Sequence, residues 1–291
     1  MKIQGSITAL ITPFKNDKLD EPALRRLIRR QLRAGTNGLV PCGSTGEAAT
    51  LRDAEYRRVI EITVEEAGGR IPVIPGVGTN STEKAVAASR QVESWGADAL
   101  LVLVPYYNKP TQEGLYRHFR AVAQAVRIPI VVYNIPGRTG INLQPATLAR
   151  LAKSCRNITA TKEASGSLDQ ASEIMSLCPA GFTVLSGDDA LTVPMMSIGG
   201  KGGISVVSNI LPRENARMCA AALKGDFKTA RRLHHQLFPI IKGLFIETNP
   251  IPVKAAAEMA GLCAGEPRAP LTPITKENRR RLRALLKGVR I

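Results

Sequence analysis

The chain has 291 residues and a formal net charge of +16, from 40 basic and 24 acidic side chains. At 44% hydrophobic and 22% charged it has enough apolar surface for a folded core, which excludes a disordered chain. No run of about 18 uncharged apolar residues is present, and Met1-Lys2-Ile3-Gln4-Gly5 leads into a strand-like stretch rather than a signal peptide, so a cytoplasmic protein is expected. Short β-branched runs then predict eight strands, at residues 7–12, 38–41, 72–77, 99–104, 129–134, 158–162, 183–186 and 203–207. Helical periodicity fills the gaps, as at residues 21–34, 54–67, 82–95 and 112–126. Strands alternating with helices imply parallel β-α units, and eight of them fit a closed (β/α)8 barrel; a doubly wound open sheet is the competing arrangement. From about residue 212 the pattern is helical only, with breaks at Gly225, Asn249-Pro250 and 266–270. The expected division is a barrel over residues 1–224 and a C-terminal helical extension over 225–291.

Five cysteines, Cys42, Cys155, Cys178, Cys219 and Cys263, are widely spaced and form no C-x-x-C pair. With only His118, His234 and His235 beside them, no metal site, disulfide framework or Ser-His-Asp triad is expected. The basic balance raises nucleic-acid binding, but Arg25, Arg26, Arg29, Arg30 and Arg33 fall on one predicted helix, and Arg279, Arg280, Arg281 and Arg283 on another. Both read as solvated faces. Aromatic residues, at 4%, are too few for a base-stacking platform. A basic surface also steers acidic metabolites inward.

In a parallel barrel the C-terminal strand ends converge on one mouth. Polar residues gather at those ends: Gly43-Ser44-Thr45-Gly46-Glu47 after the second strand, Pro105-Tyr106-Tyr107-Asn108 after the fourth, Tyr133-Asn134-Ile135-Pro136-Gly137-Arg138 at the fifth. Thr161-Lys162-Glu163-Ala164 ends the sixth, Ser186-Gly187-Asp188-Asp189 the seventh, and Gly202-Gly203-Ile204-Ser205 lies in the eighth. Alternation puts Ile158, Ala160 and Lys162 on one face of the sixth strand. If that face is inward, Lys162 is desolvated; burial and a neighbour such as Arg138 lower its pKa, and a neutral amine attacks ketones. The competing reading is a lysine that snorkels to the mouth or pairs with Glu163. Tyr133 either satisfies a core hydrogen bond or, beside a nucleophilic lysine, carries protons. Arg138 suits a carboxylate or is an ordinary surface arginine. The Gly43–Gly46 segment is a turn or an anion cradle; without a following G-K-[ST] or a G-x-G-x-x-G it does not predict nucleotide binding.

Taken together, Gly43-Ser44-Thr45-Gly46-Glu47, Pro105-Tyr106-Tyr107-Asn108, Tyr133 to Gly140, Lys162-Glu163-Ala164 and Ser186-Gly187-Asp188-Asp189 resemble the dihydrodipicolinate synthase family. That family lies in the pyruvate-dependent class I aldolase superfamily. The resemblance runs from Gly5-Ser6-Ile7 through Asn249-Pro250-Ile251-Pro252-Val253-Lys254 to Leu271-Thr272-Pro273. It implies a lyase of lysine and diaminopimelate biosynthesis that condenses pyruvate with L-aspartate 4-semialdehyde through an imine on Lys162. In that scheme Tyr133 relays protons with Ser44 and Tyr107, the latter reaching in from a neighbouring subunit. Thr45 holds the pyruvate carboxylate and Arg138 the semialdehyde carboxylate, while turns at Gly187 and Ile204 position the imine. It further implies no metal or organic cofactor and a homotetramer built as a dimer of dimers. The alternative is another pyruvate-dependent class I aldolase acting on a 2-keto acid; Arg138 favours the small carboxylated aldehyde.

Two departures from the family pattern stand out. Ser44 occupies the first of two positions that are usually both threonine, which predicts a modest change in rate. At positions matching the family's L-lysine regulatory pocket the chain carries Ala48, Asp53, Tyr56, Asn80, Lys84 and Tyr106. Lys84 replaces an acid and repels a cationic ligand, so weak or absent feedback by L-lysine is expected, with Asp53 a compensating charge.

Overall fold

The computed structural model describes residues 2–289. Eight parallel strands form its sheet: β1 (Gly5–Ala9), β2 (Gly38–Val40), β3 (Gly76–Val77), β4 (Leu100–Leu103), β5 (Ile130–Asn134), β6 (Ile158–Glu163), β7 (Thr183–Ser186) and β8 (Gly202–Ser205). The hydrogen-bonded order is β2-β1-β8-β7-β6-β5-β4-β3. A parallel bridge between Leu39 and Val73, with Ile74 N donating to Leu39 O at 2.8 Å, joins the two ends and closes the barrel.

Helices cover the outside: α1 (Glu21–Ala34), α2 (Asp53–Ala67), α3 (Thr82–Ser94), α4 (Gln112–Ala125), α5 (Pro145–Ser154), α6 (Leu168–Leu177) and α7 (Thr192–Ser197). Their starts are written locally. Asp20, Ser81, Thr111 and Ser167 each accept a backbone N–H of the first turn. Gly35, in the left-handed region at φ 80°, ends α1. After β8 come α8 (Pro212–Leu223), α9 (Phe227–Gly243), α10 (Ile251–Met259) and α11 (Lys276–Leu286).

The core has three parts. Inside the barrel, Ile3, Ile7, Val40, Ile74, Leu101, Val131, Ala160, Leu185 and Ile204 fill the floor. Between barrel and helices lies a larger apolar layer that includes Leu39, Val102, Phe119, Ile130 and Val132. A third cluster joins α8–α11 to Ile11, Leu27 and Val207, so the C-terminal helices share a core with the barrel's flank.

Several expected boundaries shift for identifiable reasons. The first strand pairs from Gly5 rather than residue 7 and stops at Ala9; beyond it, Ile11 N donates to Asn209 Oδ1 and Thr12 Oγ1 to Gly46 O. The third strand shrinks to two residues, since Pro72 and Pro75 supply no N–H to a ladder. The eighth ends at Ser205 because Asp189 Oδ2 takes the N–H groups of Val206 and Val207, at 2.9 and 2.8 Å. In β6 the register slips, Ile130 facing Ile158 while Val131 faces Ala160. Ile158 therefore packs in the outer layer, and only Ala160 and Lys162 share the inward face expected of all three.

The arginine-rich helices are not simply solvated. Arg25 and Arg29 pair with Glu66 on α2 at 2.9 and 2.7 Å, and Arg30 donates to the carbonyls of Asn209 and Ile210. On α11, Arg279 pairs with Glu258 at 2.8 Å.

Candidate active site

Adjacent strands place Tyr133 and Lys162 directly beside each other, in register on β5 and β6. Both point into the barrel and both are buried, at 6% and 7% exposure. The Lys162 Nζ sits over the Tyr133 ring, 4.1 Å from its centroid. Among the described residues no carboxylate lies within 4.0 Å of that nitrogen. Glu163 does not pair with it. Its carboxylate is turned to the other side of the strand, where it accepts from Ser165 N at 2.7 Å, Gln170 Nε2 at 3.1 Å and Asn134 Nδ2 at 3.2 Å. Asn142 extends this network between Asn134 and Gln170, tying the ends of β5 and β6 to α6.

Gly187 follows β7 and abuts the lysine. A Cβ there would come within 3.1 Å of Lys162 Cε and 2.5 Å of Ala164 Cβ, so no side chain fits. Ile204 on β8 is buried in the same interior cluster.

The loop after β2 carries Ser44, half-buried, and Thr45, buried at 4% exposure. Its backbone is unusual, with Cys42 and Glu47 in the left-handed region at φ 55° each. Thr45 Oγ1 accepts from Asn249 Nδ2 at 3.0 Å. Arg138 is exposed on the turn after β5, and its Nη2 donates to Asn249 O at 2.9 Å. Tyr107, at φ 72°, is 86% exposed and does not join the cluster within its own chain.

A cavity of about 620 Å³ opens here. Ser44, Tyr133, Arg138 and Asn249 are among its lining residues, together with Asp53, Tyr56, Lys84 and Tyr106. Tyr56 donates its hydroxyl to Gly76 O at 2.8 Å, and burial pushes its pKa well up. Among the described residues no cluster of three or more His, Cys, Asp or Glu is arranged to hold a metal ion.

Glu47 and Asn249 also line the cavity, and Lys254 lies buried behind Glu47. Lys254 is fully buried, and its Nζ donates to Glu47 Oε1 at 2.6 Å. Glu47 Oε2 accepts from Arg268 N at 2.8 Å. Burial lowers the Lys254 pKa, and the Glu47 charge opposes that shift. The signal was a lysine inside the apolar run Ile251 to Ala257, where a charge requires a buried acid.

The model of the dihydrodipicolinate synthetase family matches residues 2–289. The chain belongs to that family. A curated relative from Pelobacter propionicus, named 4-hydroxy-tetrahydrodipicolinate synthase, is 55% identical over 285 residues and 98% of each chain. The crystal structure of dihydrodipicolinate synthase from Aquifex aeolicus is 51% identical, with a TM-score of 0.96 over 98% of this chain and 97% of that one. That of the family member from Cyanidioschyzon merolae, with lysine bound, is 40% identical, with a TM-score of 0.94 over 98% and 97%. Family membership agrees with the barrel and with the strand-end motifs that first suggested it. No helix of the described residues is long and apolar enough to cross a membrane.

Proposed function

We propose that this chain is a lyase that condenses pyruvate with L-aspartate 4-semialdehyde to 4-hydroxy-tetrahydrodipicolinate, with release of water. The reading is supported most directly by Lys162, an inward-facing amine at a strand end with Tyr133 against it and no acid within 4.0 Å among the described residues. Lys162 attacks the pyruvate ketone; the carbinolamine loses water and leaves an imine. Loss of a methyl proton gives the enamine, whose carbon adds to the aldehyde. The amine of the second substrate then attacks the imine carbon, expels Lys162 and closes the ring. The imine is itself the electron sink, so the scheme calls for no metal or organic cofactor.

Tyr133 carries protons between the reacting atoms and solvent, with the hydroxyls of Ser44 and Tyr107 as relays. The exposure of Tyr107 fits a side chain supplied to a second subunit, and a homotetramer built as a dimer of dimers is the assembly proposed. Thr45 and its loop backbone hold the pyruvate carboxylate; Arg138 receives that of the semialdehyde. Main-chain carbonyls at Gly187 and Ile204 orient the imine nitrogen. A cytoplasmic location is part of the same proposal.

Purified protein given pyruvate and L-aspartate 4-semialdehyde is expected to consume both and release cyclic product. Turnover of pyruvate with N-acetylmannosamine instead would replace this reading with sugar-acid aldolase activity. Regulation by L-lysine is proposed to be weak, since Lys84 lies exposed on α3 in the cavity wall and repels a cation. Strong inhibition at millimolar lysine in a steady-state assay contradicts that.

A further inference from the structure

Asn249 enters the cavity wall from the segment that precedes α10, far along the chain from the strand-end motifs. Two hydrogen bonds make it a bridge: its Nδ2 donates to Thr45 Oγ1 at 3.0 Å, and its main-chain oxygen accepts from Arg138 Nη2 at 2.9 Å. The same segment is anchored below. Lys254 and the backbone of Arg268 hold the two oxygens of Glu47, two residues beyond Thr45. Residues 249–268 thus grip the loop after β2 at both ends.

The chemistry of the hydroxyl gives this bridge a direction. An oxygen that accepts a hydrogen bond keeps its own proton for another acceptor. Among the described residues no acceptor takes the Thr45 proton. Asn249 is 6% exposed, and its Oδ1 is buried without a donor among the described residues. A buried polar atom without a partner calls for an explanation, and here it belongs to the side chain that bridges Thr45 and Arg138.

We propose that Asn249 is a positioning residue that ties the anchors of the two substrates together. By donating to Thr45 it turns that hydroxyl into a donor for the pyruvate carboxylate; by accepting from Arg138 it sets the guanidinium for the semialdehyde. The inference rests on the roles proposed above for Thr45 and Arg138.

Two variants test it. Asn249→Asp keeps the shape but replaces the donor by an acceptor, which recaptures the Thr45 proton. Asn249→Leu removes the donor without adding charge. Both are expected to raise the KM for pyruvate about tenfold or more, as for a lost hydrogen bond to a charged group, while kcat falls less than about threefold. At saturating pyruvate, borohydride still labels Lys162 in both variants. A purely structural role would instead lower kcat through a smaller folded fraction and leave KM unchanged. A pyruvate KM within twofold of the parent in either folded variant overturns the inference, and a rise in the aspartate variant alone assigns the effect to charge and also overturns it. If Asn249→Leu fails to fold, Asn249→Ala takes its place as the uncharged variant and is judged by the same KM criterion. Failure of pyruvate and borohydride to label Lys162 in the unmodified protein would instead remove the reading on which the inference stands.

Discussion

Among the described residues two lysines are buried, and their surroundings differ in pairing and in free space. Each has its Nζ over an aromatic ring, Lys162 at 4.1 Å from the Tyr133 centroid and Lys254 at 4.4 Å from that of Phe14. Lys254 is locked to Glu47 at 2.6 Å, which favours its charged form and occupies the nitrogen. Lys162 has no such acid within 4.0 Å among the described residues, and Gly187 leaves the space beside its Cε free of side chain. Burial alone therefore does not make a lysine a nucleophile; in the proposed mechanism the lack of an acid partner is what distinguishes Lys162 from Lys254.

The contrast can be broken or sharpened by substitution. Lys162→Met is expected to lower condensation by at least about a thousandfold while the thermal midpoint holds or rises, because an unpaired buried amine is removed. Lys254→Met should do the reverse, leaving Glu47 stranded and reducing stability by about 3–5 kcal/mol in urea unfolding. The folded fraction of that variant should still react at Lys162. Replacing Glu47 as well, with Met at both positions, should recover part of the loss, and no recovery would mean that the pair is not the cause.

A third buried base extends the comparison to pH. Burial holds the His118 ring down to about 4, and Thr82 Oγ1 lies 3.0 Å from its Nδ1. The folded ring binds its proton less readily than the unfolded one, whose pKa is about 6.5. Its contribution is complete above that pH and is lost as the pH falls toward about 4, by up to about 3 kcal/mol. A His118→Leu variant should show a flatter stability profile over that interval, and an unchanged slope contradicts the assignment. The smallest effect expected is that of Ser44→Thr, which adds one methyl and should alter kcat by less than about threefold. A sharp loss there would argue against the relay role of Ser44.

The fold was largely legible because each β-α unit states its own period. The helix starts are local as well, Asp20 and Ser81 each accepting a first-turn N–H. What periodicity missed was set by distant partners. Asp189, far from Val206 in sequence, ended β8, and a register slip turned Ile158 outward while Lys162 stayed inward. The site divides the same way. Lys162 and Tyr133 could be read from strand parity, whereas Asn249 acquires its place only when a segment some 200 residues away closes over Thr45.

Reductive trapping tests the central contrast directly. With pyruvate and borohydride, peptide mass spectrometry should find a single N-(1-carboxyethyl) adduct on Lys162 and leave Lys254 unmodified. An adduct on Lys254 or another side chain, or none at all, would contradict the account.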